Sequence, residues 1–120
     1  MLSIQNRLKK EKDFEKVFKH GSPIKGRLFF LKILKTENKN SRIGLSVSKK
    51  ISNKAVVRNK IKRRLREAVR AELKKNNLPG YDIVIVALPG IKKADYPEIK
   101  TDVSFAFQKG YNLNTKQWIL

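Results

Sequence analysis

The sequence predicts an α+β fold, a two-layer sandwich in which one small sheet carries three helices. Two observations lead there. Apolar residues recur at helical spacing in three separate stretches: Phe14, Val17 and Phe18; then Ile61, Leu65, Ala68, Val69 and Leu73; then Ile99, Val103, Ala106 and Phe107. Between these stretches lie strand-like runs rich in Phe, Ile, Leu and Val. The order is helix, strands, long helix, strand, helix.

Each element has its own signal. Glu11 to His20 reads as a short helix, with acids in its first turn and Gly21 as a stop. Arg27 to Lys35 reads as a strand, and Thr36 to Ser41 as a turn. From Arg42 to Ser48, Ile43, Leu45 and Val47 alternate with Gly44, Ser46 and Ser48, so one face is apolar and the other small and polar. Lys49 to Lys54 is a basic loop. Val57 to about Lys75 is the long helix, ended by the Pro79-Gly80 turn signal. Tyr81 to Leu88 lacks a polar face over Ile83–Leu88, which places it inside the sheet. Pro89 to Ala94 is a loop. Asp95 then opens a last helix with Glu98 three residues on, a capping-box pattern, and Gly110 closes it. The 120 residues suit one domain, 1–120, with 1–10 and 111–120 as loosely held ends.

Charge narrows the function. There are 29 Lys and Arg against 10 Asp and Glu, a formal charge of +19. That much like charge repels itself and destabilises a compact state, so a polyanionic partner is expected. Nucleic acid is the first candidate and an anionic membrane surface the second. Cysteine is absent, which excludes disulfides and thiol chemistry. Met1 to Lys10 has no apolar run suited to a signal peptide, and no stretch approaches a membrane span. A cytoplasmic protein is expected.

Lys49 to Arg66 is the most informative stretch. Its 18 residues hold nine basic side chains and no acid. A solvated helix face would mix signs and form ion pairs three or four residues apart; here no acid occurs until Glu67. Arg58, Lys62 and Arg66 share one helix face, which could track a phosphate backbone. RNA is favoured over DNA on two grounds. The Gly44, Ser46, Ser48 strand face is small enough for a single strand to approach. Aromatic residues also lie among basic ones, with Phe14 and Phe18 near Lys12, Lys16 and Lys19, and Phe29-Phe30 near Arg27 and Lys32. Aromatics on a basic surface stack unpaired bases. For any single Phe, ordinary core packing is the competing reading. Phe29 and Phe30 must point to opposite sheet faces, so at most one serves the core alone.

Catalytic groups are scarce. His20 is the only histidine, which excludes a histidine pair for general acid and base, and it suits a helix C-terminus. The acids are scattered, without the spacing of a two-metal site, and no glycine-rich phosphate loop is present. No catalytic residue, metal site or bound cofactor is expected on the chain. Such a protein assists a partner that performs the chemistry.

The run KAVVRNKIKRRLRE from Lys54 to Glu67 resembles the arginine-asparagine-arginine signature of the bacterial ribonuclease P protein component family. Arg7-Leu8-Lys9-Lys10 with Asp13-Phe14 and Val17-Phe18, Arg42 to Lys50, and Tyr81-Asp82-Ile83-Val84 resemble other family segments in order, over about residues 6 to 110. One departure is Lys60 where the signature has Arg, which keeps charge but loses the bidentate fork. The resemblance implies a two-layer α/β sandwich with a small mixed sheet of about four strands and three helices, a ribosomal-protein-like fold with a left-handed crossover, against the right-handed default. It implies a subunit of an endoribonuclease that removes the 5′ leader from precursor tRNA, with magnesium held by a catalytic RNA partner. It further implies a leader-binding set of Phe14, Phe18, Phe30, Lys32, Ser46, Ser48, Arg58, Lys62 and Arg66. A second set, Lys49, Lys50, Lys54, Asn59, Lys60, Arg63 and Arg64, would face the catalytic RNA. The family often has an aromatic where Lys32 stands.

Three other readings compete. A ribosomal or other structural RNA-binding protein of similar topology shares the charge and fold. A DNA-binding domain could place the basic helix in a major groove. Membrane-surface binding is disfavoured because the long helix needs its apolar stripe for the core. No small-molecule substrate is expected.

Overall fold

A computed structural model describes residues 7–37, 40–76, 80–112 and 117–118. The elements in chain order are α1 (Glu11–His20), β1 (Ser22–Lys25), β2 (Phe29–Lys35), β3 (Arg42–Ser46), α2 (Ala55–Asn76), β4 (Tyr81–Ala87), a 3-10 turn (Pro89–Lys93), α3 (Tyr96–Gly110), β5 (Tyr111–Asn112) and β6 (Gln117–Trp118). The main sheet has the order β1-β2-β4-β3. β1 and β2 form an antiparallel hairpin, β2 pairs antiparallel with β4, and β3 pairs parallel with β4. This is the α+β architecture that the periodicities predict, and its mixed four-stranded sheet with three helices is the one that the resemblance implies.

β4 lies inside the sheet, as its lack of a polar face requires. Six of its seven residues are buried, and only Val86 is partly open. One face of the sheet carries Phe29, Leu31, Ile33, Ile43, Ile83 and Ile85 against α2 and α3. The predicted stripes meet there: Ile61, Leu65, Ala68 and Val69 from α2, and Ile99, Val103, Ala106 and Phe107 from α3, all buried. Leu73 is partly buried at the edge of this core. On the opposite face α1 lays Val17 and Phe14 into a smaller cluster with Leu8 and Val84. At Asp95 the capping box closes as expected. Its Oδ1 accepts from the Glu98 amide at 2.9 Å, and its own amide donates to Glu98 Oε1 at 3.4 Å.

Several boundaries differ from the sequence expectation. The 27–35 strand is the second arm of a hairpin whose first arm, β1, contains Pro23. β1 lies at the sheet edge, where a missing N–H costs least. β3 ends at Ser46, so Val47 and Ser48 leave the sheet. The 89–94 loop is wound into the 3-10 turn, with Pro89 in its first position. Arg7 and Leu8, assigned to a loose end, are held by a parallel bridge between Arg7 and Ile43 and a 2.9 Å bond from the Leu8 amide to the Ile43 carbonyl. β5 and β6 pair as a ribbon through Tyr111 and Trp118, whereas the sequence suggests a loose tail over 111–120. Gly80, just before β4, has φ 82°, a conformation natural to glycine. Pro79 lies outside the described residues. Among these residues no helix is long and apolar enough to cross a membrane.

One polar network ties α1 to the sheet. Arg42 of β3 forks onto Asp82 of β4, with Nε to Oδ1 at 2.9 Å and Nη2 to Oδ2 at 2.6 Å. Its third nitrogen reaches Asp13 of α1 at 3.3 Å. The Asp82 side chain is only 4% exposed. The Asp82 hydrogen bond is the main cause of a guanidinium pKa above its ordinary value, with burial opposing it and Asp13 adding to it. A cation whose folded-state pKa is raised contributes stability that is lost only as pH climbs through that pKa. This pair therefore holds across neutral and moderately alkaline pH. Removing Arg42 strands a buried carboxylate. Arg42→Ala is expected to lower stability by about 3 kcal/mol in urea unfolding, and the Arg42→Ala, Asp82→Ala double variant to recover part of that loss.

Candidate nucleic-acid interface

Strand alternation decides which side chains reach the face away from α2 and α3. They are Pro23 and Lys25 of β1, Phe30, Lys32 and Leu34 of β2, Asp82, Val84 and Val86 of β4, and Arg42, Gly44 and Ser46 of β3. α1 covers one end of this face, over Val84 and Leu34. The uncovered end is crossed by one register row. Ser46 pairs with Val86, Val86 with Phe30, and Phe30 with Lys25. The first three are partly open and Lys25 is exposed. At about 4.8 Å per strand this row spans roughly 14 Å.

The expected leader set is brought together in part. Phe14, Lys62 and Arg66 line one hollow of about 240 Å³ at the outer edge of β3, together with Arg7, Lys9 and Leu45. Phe18 and Lys32 meet at the C-terminal end of α1. Lys32 Nζ donates to the Phe18 carbonyl at 2.7 Å and lies 5.9 Å from the Phe18 ring centre. A lysine there completes the helix end and stands over an aromatic face. Phe30 is on the open row, whereas Phe29 is fully buried, so the two rings divide as strand geometry demands. Ser46 is on the row as well.

Two members of the set are displaced. Ser48 is exposed beyond the strand and opens a turn, its carbonyl accepting from the Ile51 amide at 3.0 Å. Arg58 folds back toward that loop and donates from Nη1 to the Ser52 carbonyl at 2.9 Å. Gly44 also serves a purpose other than the one expected. A Cβ built on it would stand 2.5 Å from the Phe14 ring, so its missing side chain makes room for Phe14 and not for an RNA strand.

The second set gathers around the start and outer side of α2. Lys49 and Lys50 are exposed in the turn after β3. The Lys54 carbonyl accepts from the amides of Val57 and Arg58, and its own amide donates to Ser52 Oγ at 3.2 Å. Asn59, Lys60 and Arg63 are exposed. Arg64 is turned to the other flank of the helix and donates to the Ala94 carbonyl at 3.2 Å. At about 100° per residue Arg64 falls on the side of α2 opposite Lys62 and Arg66, which is why it meets the segment after the 3-10 turn.

Electrostatics separates the two kinds of residue. Among the described residues none of the basic side chains from Lys49 to Arg66 has an acidic partner within 4.0 Å. The acids pair elsewhere: Asp13 and Asp82 with Arg42, Glu98 and Asp102 with Arg27, and Glu67 with Arg70. The first turn of α2 carries no acid, although a helix N-terminus favours negative charge. The helix start, with Lys49, Lys50 and Lys54 beside it, thus has the electrostatic character that suits a phosphate. Among the described residues no group of three His, Asp or Glu side chains is placed to hold a metal ion. His20 is exposed in the last turn of α1.

Sequence reasoning misses Val86, Lys25 and Arg42. Val86 has no signal, because every residue of β4 near it is apolar. Lys25 is hidden with the unrecognised first arm of the hairpin. Arg42 could be suspected only from its place beside Asp82 in a parallel pair.

Phe14 and Gly44 give a test of this packing. Gly44→Ala forces the ring to move, and overpacking of this kind costs about 1–3 kcal/mol. Truncating the ring in a Gly44→Ala, Phe14→Leu double variant should remove most of that extra cost. Additive losses in chemical denaturation would place the ring elsewhere.

Comparison with known proteins identifies the lineage. The family model described as Ribonuclease P matches residues 2–111. The ribonuclease P protein component of Bacillus velezensis is 43% identical over 106 residues, covering 88% of this chain and 89% of that one. The corresponding protein of Clostridioides difficile is 41% identical over 96 residues, with 80% and 83% coverage. The solved structure of the Staphylococcus aureus RNase P protein superposes with a TM-score of 0.78 at 32% identity, covering 86% of this chain and 93% of that one.

Proposed function

The chain belongs to the Ribonuclease P protein family, and from that premise we propose how its surface divides the work of the holoenzyme. It is the protein subunit of ribonuclease P, a ribonucleoprotein endoribonuclease, and its partner is RNA. The hollow at the edge of β3 and the open sheet row grip the single-stranded 5′ leader of precursor tRNA. The start and outer side of α2, with Lys49, Lys50, Lys54, Asn59, Lys60 and Arg63, contact the catalytic RNA. Arg64 contributes less than the sequence alone implies, because it is engaged with Ala94.

The observation that carries this reading is the meeting of Phe14 with Lys62 and Arg66 around one hollow. An aromatic ring beside two cations offers a base a stacking surface and its phosphates a counter-charge. Duplex RNA presents no unstacked base, so this chemistry selects an unpaired strand. Lys60 lies on the outer side of the same helix, about 160° from Lys62. One helix can therefore meet two RNAs.

Hydrolysis is assigned to the RNA partner. Precursor cleavage needs magnesium, and in this proposal the RNA carries it. The support is the use of Asp13, Asp82, Glu98 and Asp102 in structural ion pairs.

Reconstitution with the catalytic RNA tests both assignments. The protein alone should leave precursor tRNA intact, and the mixture should cut it at low magnesium; robust cleavage by RNA-free protein would overturn the mechanism. Lys62→Ala and Arg66→Ala should weaken binding of leader-bearing precursor to the holoenzyme by about tenfold, the scale of one lost base-stacking or charge-assisted contact. Binding of mature tRNA should change little. Equal losses on both substrates would remove these residues from the leader site.

A further inference from the structure

The open row does not stop at Phe30. Beyond it, at the β1 edge, lies a hollow of about 370 Å³ lined by Pro23, Lys25, Gly26, Phe30 and Leu88. It stands across the sheet from the hollow that holds Phe14, Lys62 and Arg66, with Ser46, Val86 and Phe30 between them.

Its construction has a chemical meaning. The hairpin turn that frames it is tight, with the Gly26 amide donating to the Phe29 carbonyl at 2.9 Å. A Cβ on Gly26 would meet that carbonyl at 2.7 Å. The rim is pinned again by the Leu88 amide on the Leu28 carbonyl at 2.9 Å, and by the Leu28 amide on Asp102 at 3.0 Å. A hollow held by backbone bonds on both sides is preformed and loses little ordering entropy when filled. Its walls are a phenyl ring, a proline ring and a leucine, and its one charged side chain is the exposed Lys25. Lys25 has no acidic partner within 4.0 Å among the described residues. A flat apolar group with an anion attached matches this pattern, and an unpaired nucleotide is such a group.

We propose that this hollow is a nucleobase subsite, in which one leader base packs against Phe30 and Pro23 while Lys25 meets the adjacent phosphate. The proposal rests on the leader reading above and extends it. The protein then grips the leader over the full width of the sheet, from the β3 edge to the β1 edge. A four-stranded sheet commonly stacks two or three bases across its face, so this span is of ordinary size. The side chains lining the subsite make contact by stacking and charge and supply no base-edge code. It should therefore accept any base and respond mainly to whether a base is present.

The test uses the reconstituted holoenzyme and precursor tRNA in which leader nucleotides are replaced one at a time by abasic sites. With the wild-type protein, one position far from the cleavage site should lose about tenfold in affinity when made abasic, within the range of one lost stacking contact. Exchanging bases at that position should change affinity less than removing the base. In Lys25→Ala and in Leu88→Ala that abasic penalty should shrink, while penalties at positions gripped near α2 persist. Lys25→Ala should also reduce the slope of log affinity against log salt by about one. Lys25 is exposed, so this variant should keep its fold even if Leu88→Ala does not. If wild-type affinity does not depend on the leader, the leader reading fails and this proposal with it. If leader dependence is present but no abasic penalty is coupled to Lys25 or Leu88, the subsite alone is overturned. A loss in either variant that is equal on mature tRNA would also overturn it.

Discussion

The contact on which the rest of the molecule depends is the fork of Arg42 onto Asp82, with Asp13 as its third partner. It joins β3, β4 and α1, the three elements that frame the sheet's second face. Without it, α1 would be held to that face mainly by Val17, its one fully buried residue, and by part of Phe14. The position of Phe14 then follows. α1 is fixed at its N-terminal end by Asp13 and at its C-terminal end by Lys32 on the Phe18 carbonyl. Between these ties the ring lies in the space left by Gly44. The aromatic proposed to stack the leader thus owes its place to a partly buried ion pair on neighbouring strands.

The same network shows how a chain of formal charge +19 can fold at all. Four of the acids serve two arginines, Asp13 and Asp82 at the partly buried Arg42 and Glu98 and Asp102 at the exposed Arg27. Among the described residues the basic side chains from Lys49 to Arg66, and Lys25 on the open row, have no such partner, and further unpaired lysines lie on α1, the 3-10 turn and α3. Structure and recognition therefore use different members of the same residue class. The absence of acids beside Lys49 to Arg66 makes that proposed RNA-binding surface more positive than mixed placement would. Self-repulsion on that surface is relieved by a polyanion, so binding and folding stability reinforce each other.

Much of this architecture is legible in the amino-acid sequence. The α1 boundaries, the buried stripes of α2 and α3, the capping box at Asp95 and the inner place of β4 follow from periodicity and end signals. What is not legible depends on tertiary contact. Pro23 argues against a strand locally, yet an edge strand tolerates it. Gly44 looks like open space for a ligand until the Phe14 ring is placed over it. Ser48 continues the alternation of β3, but the chain turns at Ser48 to reach α2 and carries its side chain away. Arg64 and Lys62 look alike in a basic run, and only their opposite flanks on α2 separate the bond to Ala94 from a place beside the Phe14 hollow. Val86 is the clearest case, since an apolar residue in an apolar strand carries no mark of exposure. The family resemblance names the right class of partner, but positions such as these come from packing.

The parallel pairing of β3 with β4 has a consequence for how the chain is made. β4 is the strand that β2 and β3 both need, yet it follows them by a long helix. Between Ser46 and Ala87 a ribosome working at about 5–20 residues per second spends roughly 2–8 seconds. During that time β1 and β2 have been made, but β2 and β3 lack the strand that joins them and α2 has no completed sheet to cover. By the end of this interval the newborn chain carries most of its 29 Lys and Arg, beside the ribosome's own RNA. Completion of the sheet therefore waits for β4, and completion of the core for α3 after it.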